Sequence, residues 1–189
     1  GGFDVSSITG ATALAETPAT TDEFVISDGG TLKRLDAIHM FNQPHFNVYR
    51  NGTQTLSNNS HTVVQFNAEV FDPDNKFDTS TYRFTPTVAG KYYVYGQTLL
   101  QGSGFTTLRQ FTAQLYKNGS AVGYSQNNLN DSEGYALTST ISTVMDMNGS
   151  SDYAELYAYF NTNNSSAGTI EGHSTLAKTC FGAYRILGA

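Results

Sequence analysis

From Pro44 to the end of the chain the sequence keeps returning to a period of two, the spacing of a strand with one face in a core and the other outside it. Val64, Phe66, Ala68 and Val70 form one face of such a run, and Phe111, Ala113 and Leu115 form one face of another. In DYAELYAYF (152–160), Ala154, Leu156, Ala158 and Phe160 point one way, while Tyr153, Glu155, Tyr157 and Tyr159 point the other. YALTSTISTVMDM (135–147) and CFGAYRIL (180–187) add further strands. Turn-forming clusters separate the runs: DPDN (72–75), QGSG (101–104), KNGS (117–120), NNLND (127–131), MNGSS (147–151) and NTNNSSAG (161–168). Short strands at this spacing, with no long amphipathic helix between them, predict an all-β sandwich or barrel.

The stretch FTPTVAGKYYVYG (84–96) raises a question of faces. Pro86 and Gly90 bracket a turn, because proline cannot donate to a ladder and glycine accepts positive φ. After Gly90, Tyr92 and Val94 share one face and Tyr93 and Tyr95 share the other. A sandwich strand has one core face, so the second pair of rings lies outside, as do Tyr157 and Tyr159 in the later strand. Each ring can bury about 150–250 Å². Two readings fit: an interface that covers the rings, or tyrosine serving as a solvent-facing β residue.

Residues 1–43 differ from residues 44–189 and form a separate N-terminal arm. They hold few aromatics and little sustained periodicity. EFVIS (23–27) alternates, SDGG (27–30) is a turn signal, and TLKRL (31–35) returns as a second strand. A competing reading places Leu32, Leu35 and Ile38 on one stripe of a short helix capped by Thr31. Neither element is stable alone, so the segment must dock on something.

At 189 residues the chain can bury roughly 70% of its unfolded surface, enough for one core without cross-links. Charged residues are 14% of it, against about 25% in ordinary soluble domains, and the polar remainder is neutral. Such surfaces are common outside cells and on virus particles. A net charge of −6, with ten scattered basic residues, argues against nucleic acid as a partner. No run of about 18 apolar residues predicts membrane insertion, and no basic stretch followed by an apolar core predicts a signal peptide. A start at Gly1 leaves a processed or trimmed N-terminus open.

Signatures of chemistry are sparse. His39, His45, His61 and His173 lack paired spacing, and Cys180 is the one cysteine, too few for a disulfide within the chain or a thiolate zinc cluster. Inside a predicted strand Cys180 reads as a small hydrophobe. QGSG (101–104) falls short of a nucleophile elbow, and SDGGT (27–31) lacks the lysine of a phosphate cradle. Asp72, Asp74, Asn75 and Asp78 offer oxygens that calcium accepts, but DPDN is first of all turn chemistry and the calcium-loop spacing is absent. Nothing points to paired carboxylates for glycoside hydrolysis. The expectation is a protein without catalytic residues, metal or cofactor.

The order FDTSTYRFTPTVAGKYYVYG (77–96), KNGS (117–120), the strand after MNGSSD (147–152) and the closing CFGAYRIL (180–187) resembles the jelly roll of complement-one-q globular heads and tumour-necrosis-factor-like domains. Phe84, Pro86, Gly90 and Tyr92 fit its Phe–x–Pro–x–x–x–Gly–x–Tyr pattern, and Phe181 and Gly182 fit its last strand; the resemblance covers residues 44–189. It implies a ten-stranded jelly-roll β-sandwich assembled as a homotrimer. It also implies that Tyr93 and Tyr95 face the threefold axis, with Tyr92 and Val94 in the core. Cys180 and Tyr184 would lie beside the axis and Phe181 inside. With Tyr157 and Tyr159, these residues make up the expected trimer interface. Arg185 departs from the pattern, which calls for an apolar residue there, and leaves the register of the last strand open.

ITGATALAETPATTDEFVISDGGTLKRLDAIHM (8–40) resembles segments of bacteriophage tail-fibre and other virion proteins that precede a globular tip. That resemblance implies a non-enzymatic virion structural protein: a fibre tip, head fibre or capsid decoration. Its arm, residues 1–43, would bind other virion proteins, and its loops would touch a host-surface glycan or protein. The Asn–x–Ser/Thr triplets at 51–53 and 118–120 would then be turns. The alternative is a secreted or cell-surface structural protein that polymerises through the arm. A glycan-degrading tail enzyme stands behind both.

Overall fold

The computed structural model describes residues 11–12, 14–19, 21–41, 43–102, 108–129 and 134–188. The chain divides into two compact units, Gly1–Phe41 and Asn42–Ala189. The turn readings at 101–104 and 127–131 fall partly outside the described residues.

In the first unit, β1 (Glu23–Asp28) and β2 (Thr31–Asp36) form an antiparallel hairpin running from Asp28↔Thr31 to Glu23↔Asp36. Gly29 and Gly30 take φ of +58° and +84°, the two positive values that a tight hairpin turn needs to match strand twist. The strand reading of residues 31–35 therefore holds over the helical one. Leu32 pairs with Ser27 and Leu35 with Phe24, so the two leucines lie on opposite faces. A single 3₁₀ turn, Ala37–Met40, follows.

The second unit is a two-sheet antiparallel sandwich. Its strands are β3 (His45–Tyr49), β4 (Gln54–Leu56), β5 (Thr62–Val63), β6 (Ala68–Phe71), β7 (Phe77–Asp78), β8 (Arg83–Phe84) and β9 (Gly90–Gly102). They continue as β10 (Leu108–Lys117), β11 (Ser120–Asn128), β12 (Ala136–Met147), β13 (Ala154–Thr162), β14 (Gly168–Ile170) and β15 (Cys180–Arg185). The described residues thus give more and shorter segments than ten. In the first sheet β12 pairs along β9 from Gly90 to Gln101. Strand β15, at Tyr92–Gln97, and strand β14, at Leu100–Gly102, follow one another along the other edge of β9. Beyond β15 come β3 and β6; beyond β14 comes β4. The second sheet runs β11-β10-β13, and β5 and β8 share the far edge of β13.

Alternation sends the expected residues inward. Tyr92 and Val94, then Phe111, Ala113 and Leu115, then Ala154, Leu156, Ala158 and Phe160 are all buried. Around Phe46 the core is aromatic: Phe84 stacks on it at 4.4 Å and Phe181 meets it edge-on at 5.0 Å. The Tyr92 hydroxyl donates to the Val88 carbonyl at 2.7 Å, and burial pushes its phenol well above the usual range. Phe181, Ala183 and Arg185 point inward together, which settles the register left open by Arg185. Its aliphatic stem packs over Gly90 while the guanidinium faces the Tyr92 end of the core.

One expected strand is not continuous. Residues 62–71 leave β5 in the second sheet and enter β6 in the first, and Val64 and Phe66 are buried in the crossing. Val70, expected on their face, is exposed. The Val64 N–H still donates to the Leu156 carbonyl of β13 at 2.9 Å and the Phe66 N–H to the Val64 carbonyl at 3.1 Å, and side chains serve the backbone between them. Gln54 accepts from Gln65 N–H at 2.8 Å and donates to the Val63 carbonyl at 2.9 Å, and Arg50 donates to the Gln65 carbonyl at 2.7 Å. A buried backbone must pair somewhere, so a crossing with such donors can be as apolar as a strand.

Candidate functional site

Strand β9 belongs to the first sheet, so its outward residues, Tyr93, Tyr95 and Gln97, look away from the core on that side. Cross-strand pairing then builds a row. Val144 of β12 lies opposite Tyr93, Tyr93 opposite Tyr184 of β15, and Tyr184 opposite His45 of β3. The Tyr93 and Tyr184 rings sit 5.4 Å apart, and His45 meets Phe71 of β6 at 5.2 Å. The row crosses five strands and remains open: Val144 is 51% exposed, Tyr184 41% and Phe71 43%. No acidic or basic side chain interrupts it other than the imidazole of His45.

Tyr95 is held differently. Its ring lies across β15 over Gly182, where an added Cβ would come within 2.4 Å of the phenol carbon and oxygen. The hydroxyl accepts a 2.7 Å hydrogen bond from Asn47 Nδ2 on β3. Burial raises the phenol pKa, against the opposing effect of that bond. The Phe–Gly of the last strand thus has a packing reason: Phe181 fills the core, and Gly182 clears the opposite face for a tyrosine from the next strand. Beside Tyr95, a shallow depression of about 350 Å³ is bounded by Gln97, Thr140, Ser142 and Cys180. Cys180 is a free, half-buried thiol whose pKa burial pushes up, as suits a small hydrophobe.

Tyr157 and Tyr159 are elsewhere. Strand β13 belongs to the second sheet, so their side of it is the opposite outer face of the sandwich. The structure therefore brings together Tyr93, Tyr95, Cys180 and Tyr184 but not all six tyrosine and cysteine residues of the expected interface. On the second face the chain supplies its own cover. Tyr157 stacks on Tyr116 at 4.1 Å, and burial raises its phenol pKa. Tyr159 stacks on His61 at 4.7 Å and donates to Asn59 Oδ1 at 3.1 Å. The Arg83 guanidinium lies 4.0 Å from the centre of the Tyr153 ring and donates from Nε to the buried Glu155 carboxylate at 3.0 Å. Edge strand β11 leaves Tyr124 open.

The remaining candidates resolve as turn chemistry. The Asp72 carboxylate accepts from the N–H groups of Lys76 and Phe77, at 3.1 and 2.8 Å. Asp78 accepts from the Ser80 N–H and hydroxyl and from the Thr81 hydroxyl, and the bonds from Ser80 lead in lowering its pKa. In the hairpin turn Asn118–Gly119, the Asn118 amide binds Asp152 at 2.7 Å. Among the described residues no group of three or more His, Cys, Asp or Glu is placed to hold a metal ion. No helix among them is long and apolar enough to cross a membrane. Asn47, Gly182, Val144 and Phe71 were not anticipated as site residues, because each acts through a neighbouring strand rather than a local motif.

No family model matches this sequence, and no curated protein sequence matches it. Solved structures do. An Eiger TNF from S. frugiperda superposes with a TM-score of 0.57 at 10% identity, covering 77% of this chain and 93% of that one. Murine APRIL gives 0.52 at 11% identity over 75% and 98% of the two chains. The globular domain of a zebrafish complement 1qA protein gives 0.50 at 18% identity, over 76% and 96%. The chain therefore has the TNF/C1q jelly-roll fold, in agreement with the fold expected from its sequence.

Proposed function

We propose that this chain is a non-enzymatic structural protein that works as a homotrimer, closed through the outer face of its first sheet. The observation that carries the reading is the open row Val144–Tyr93–Tyr184–His45–Phe71, over which no described residue of the sandwich lays a covering element. Tyrosine suits such a place, since its ring can be covered while its hydroxyl keeps a hydrogen bond. Three copies around an axis would shelter the row and leave the loops outside, where three weak contacts to a host-surface glycan or protein act together. The TNF/C1q fold, reached independently from motif and superposition, supports trimerisation by resemblance.

Within this proposal the protein belongs to a bacteriophage particle, as a fibre tip, head fibre or capsid decoration, and its first 43 residues attach it to other virion proteins. Support comes from the resemblance of residues 8–40 to virion segments and from the low charge of the chain. Light scattering tests the assembly: three chains per particle are expected, and a stable monomer overturns the reading. Labelled antibody against the chain, imaged on native particles, tests the location; label confined to a cell surface would move the protein to the secreted alternative.

A further inference from the structure

The sequence contains three Asn–Gly pairs, at 51–52, 118–119 and 148–149, each with an exposed asparagine in a connection between strands. Glycine has no Cβ to shield its amide nitrogen from the preceding side chain, so the three share one intrinsic chemistry. Their surroundings differ. Asn118 Nδ2 donates to Asp152 Oδ1 at 2.7 Å while its Oδ1 accepts from the Tyr153 N–H at 2.9 Å. Asn148 Oδ1 accepts from the N–H groups of Ser150, Ser151 and Asp152 at 2.9, 3.0 and 3.0 Å, and its Nδ2 donates to Ser151 Oγ at 2.9 Å. A Cβ added at Gly149 would meet the Ala89 nitrogen at 2.3 Å, so that turn is packed as well as bonded. Asn51 is the exception. Its backbone N–H donates to Asn67 Oδ1 at 2.8 Å and its carbonyl accepts from Asn67 Nδ2 at 3.0 Å, but among the described residues its own carboxamide has no partner. Nothing lies within 4 Å of a Cβ placed on Gly52.

We infer that Asn51 is a self-modification site, where the chain deamidates through its own backbone and turns an exposed amide into a carboxylate. Hydroxide takes the Gly52 amide proton, and the nitrogen attacks Asn51 Cγ. A C–N bond forms and closes a succinimide ring, the Cγ–Nδ2 bond breaks, and the leaving nitrogen takes a proton from water and departs as ammonia. Water then opens the ring. Attack at Cγ gives aspartate; attack at the backbone carbonyl gives isoaspartate, in which the chain runs through the former side chain. The balance is amide plus water to carboxylate plus ammonium, with no redox partner. To react, Cγ must swing towards the next nitrogen, which a free rotamer change supplies at Asn51. The same swing breaks the side-chain hydrogen bonds that hold Asn118 and Asn148. The position has a consequence for the fold. Arg50 donates to the Gln65 carbonyl of the crossing at 2.7 Å and to the Thr53 carbonyl at 2.8 Å, and a Cβ on Gly172 would meet the Gly52 carbonyl at 2.1 Å. An isoaspartyl link inserts an extra backbone carbon ahead of Gly52 and displaces Gly52 and Thr53 from these partners. Deamidation thus loosens the support of the crossing, slowly and in one direction.

The test ages the full native chain in mildly alkaline buffer at body temperature and maps its peptides by mass, scoring the replacement of an amide by an acid at each Asn–Gly pair. Asn51 should convert several-fold faster than Asn118 or Asn148, and in strong urea, where the surroundings are lost, the three rates should converge. Equal rates in the folded chain, or faster conversion at Asn118 or Asn148, overturn the assignment. Asn51→Asp carries the new charge without the extra carbon. Aged chains enriched in isoaspartate should melt below that variant; melting together with it overturns the effect on the crossing and leaves the site itself standing.

Discussion

On the outer face of the second sheet Tyr157 leans on Tyr116, Tyr159 on His61, and Tyr153 on the Arg83 guanidinium. On the outer face of the first, Tyr93 leans on Tyr184, and the row they begin runs on to Val144 and Phe71 in the open. The two faces descend from the same pattern, a strand with tyrosine at alternate positions. What separates them is the supply of partners from remote segments. Residues 59 and 61 lie just ahead of β5, which pairs with β13, so they can lay an amide and an imidazole over its rings. Among the described residues of the sandwich, no such segment reaches the row on the first sheet. A ring count therefore says little about association; the cover over each ring says more.

The strongest attempt to break this contrast is Tyr93→Ala combined with Tyr184→Ala. Loss of central aromatic contacts should weaken association by about 2 kcal/mol or more per chain, seen as dissociation on dilution, while the separated sandwich melts within a few degrees of wild type. Full association of the double variant at nanomolar concentration would end the idea that the first face is an interface. Next is Gly182→Ala. Its Cβ would sit 2.4 Å from the Tyr95 ring, and such overpacking costs about 1–3 kcal/mol. It should lower both the melting temperature and the association constant, because the displaced ring would roughen the proposed contact surface. A variant that melts normally would show that Tyr95 moves aside freely.

Tyr157→Ala sharpens the contrast from the other side. It should cost roughly 1–2 kcal/mol of stability through the lost stack on Tyr116 and leave the number of chains per particle unchanged. Dissociation of this variant would put the second face into the interface after all. The smallest effect is one of pH. The Asn118 amide, followed by Lys117, holds the Asp152 carboxyl below its ordinary value of 3.8. A depressed carboxyl stabilises the fold above its unfolded pKa, and the gain is lost as pH falls through the lower folded value. Acid below about pH 4 should therefore loosen the Asn118–Gly119 turn of the second sheet first, read as faster amide exchange at Tyr153. The row on the first sheet contains no carboxylate and should not respond in that window.

The strand faces were legible because alternation is local: Tyr92 against Tyr93, or Leu156 against Tyr157, follows from the backbone pleat. The hairpin at residues 23–36 was only half legible: the two glycines marked its turn, but Leu32, Leu35 and Ile38 fitted a helical stripe equally well until the pairing of β1 with β2 decided it. Sheet membership was not legible. Strands β9 and β13 have the same pattern, and the pairings that assign them to different sheets lie scores of residues away. Hence Tyr93 and Tyr157 looked like members of one surface. The run at 62–71 misled in the same manner, since a buried crossing and a buried strand ask for the same residues. Its signature lies in Gln54 and Arg50, which no short window contains. Among the site residues, the tyrosines and Cys180 were visible, whereas Asn47 and Gly182 acquire their roles only once Tyr95 reaches across a neighbouring strand.

That crossing segment has a consequence for how the sandwich comes apart. Because one continuous run, anchored by Val64 and Phe66, is woven into both layers, neither layer can peel away without dragging ordered chain out of the other. Heat should thus melt the two as a single cooperative block, however differently their outer surfaces are dressed.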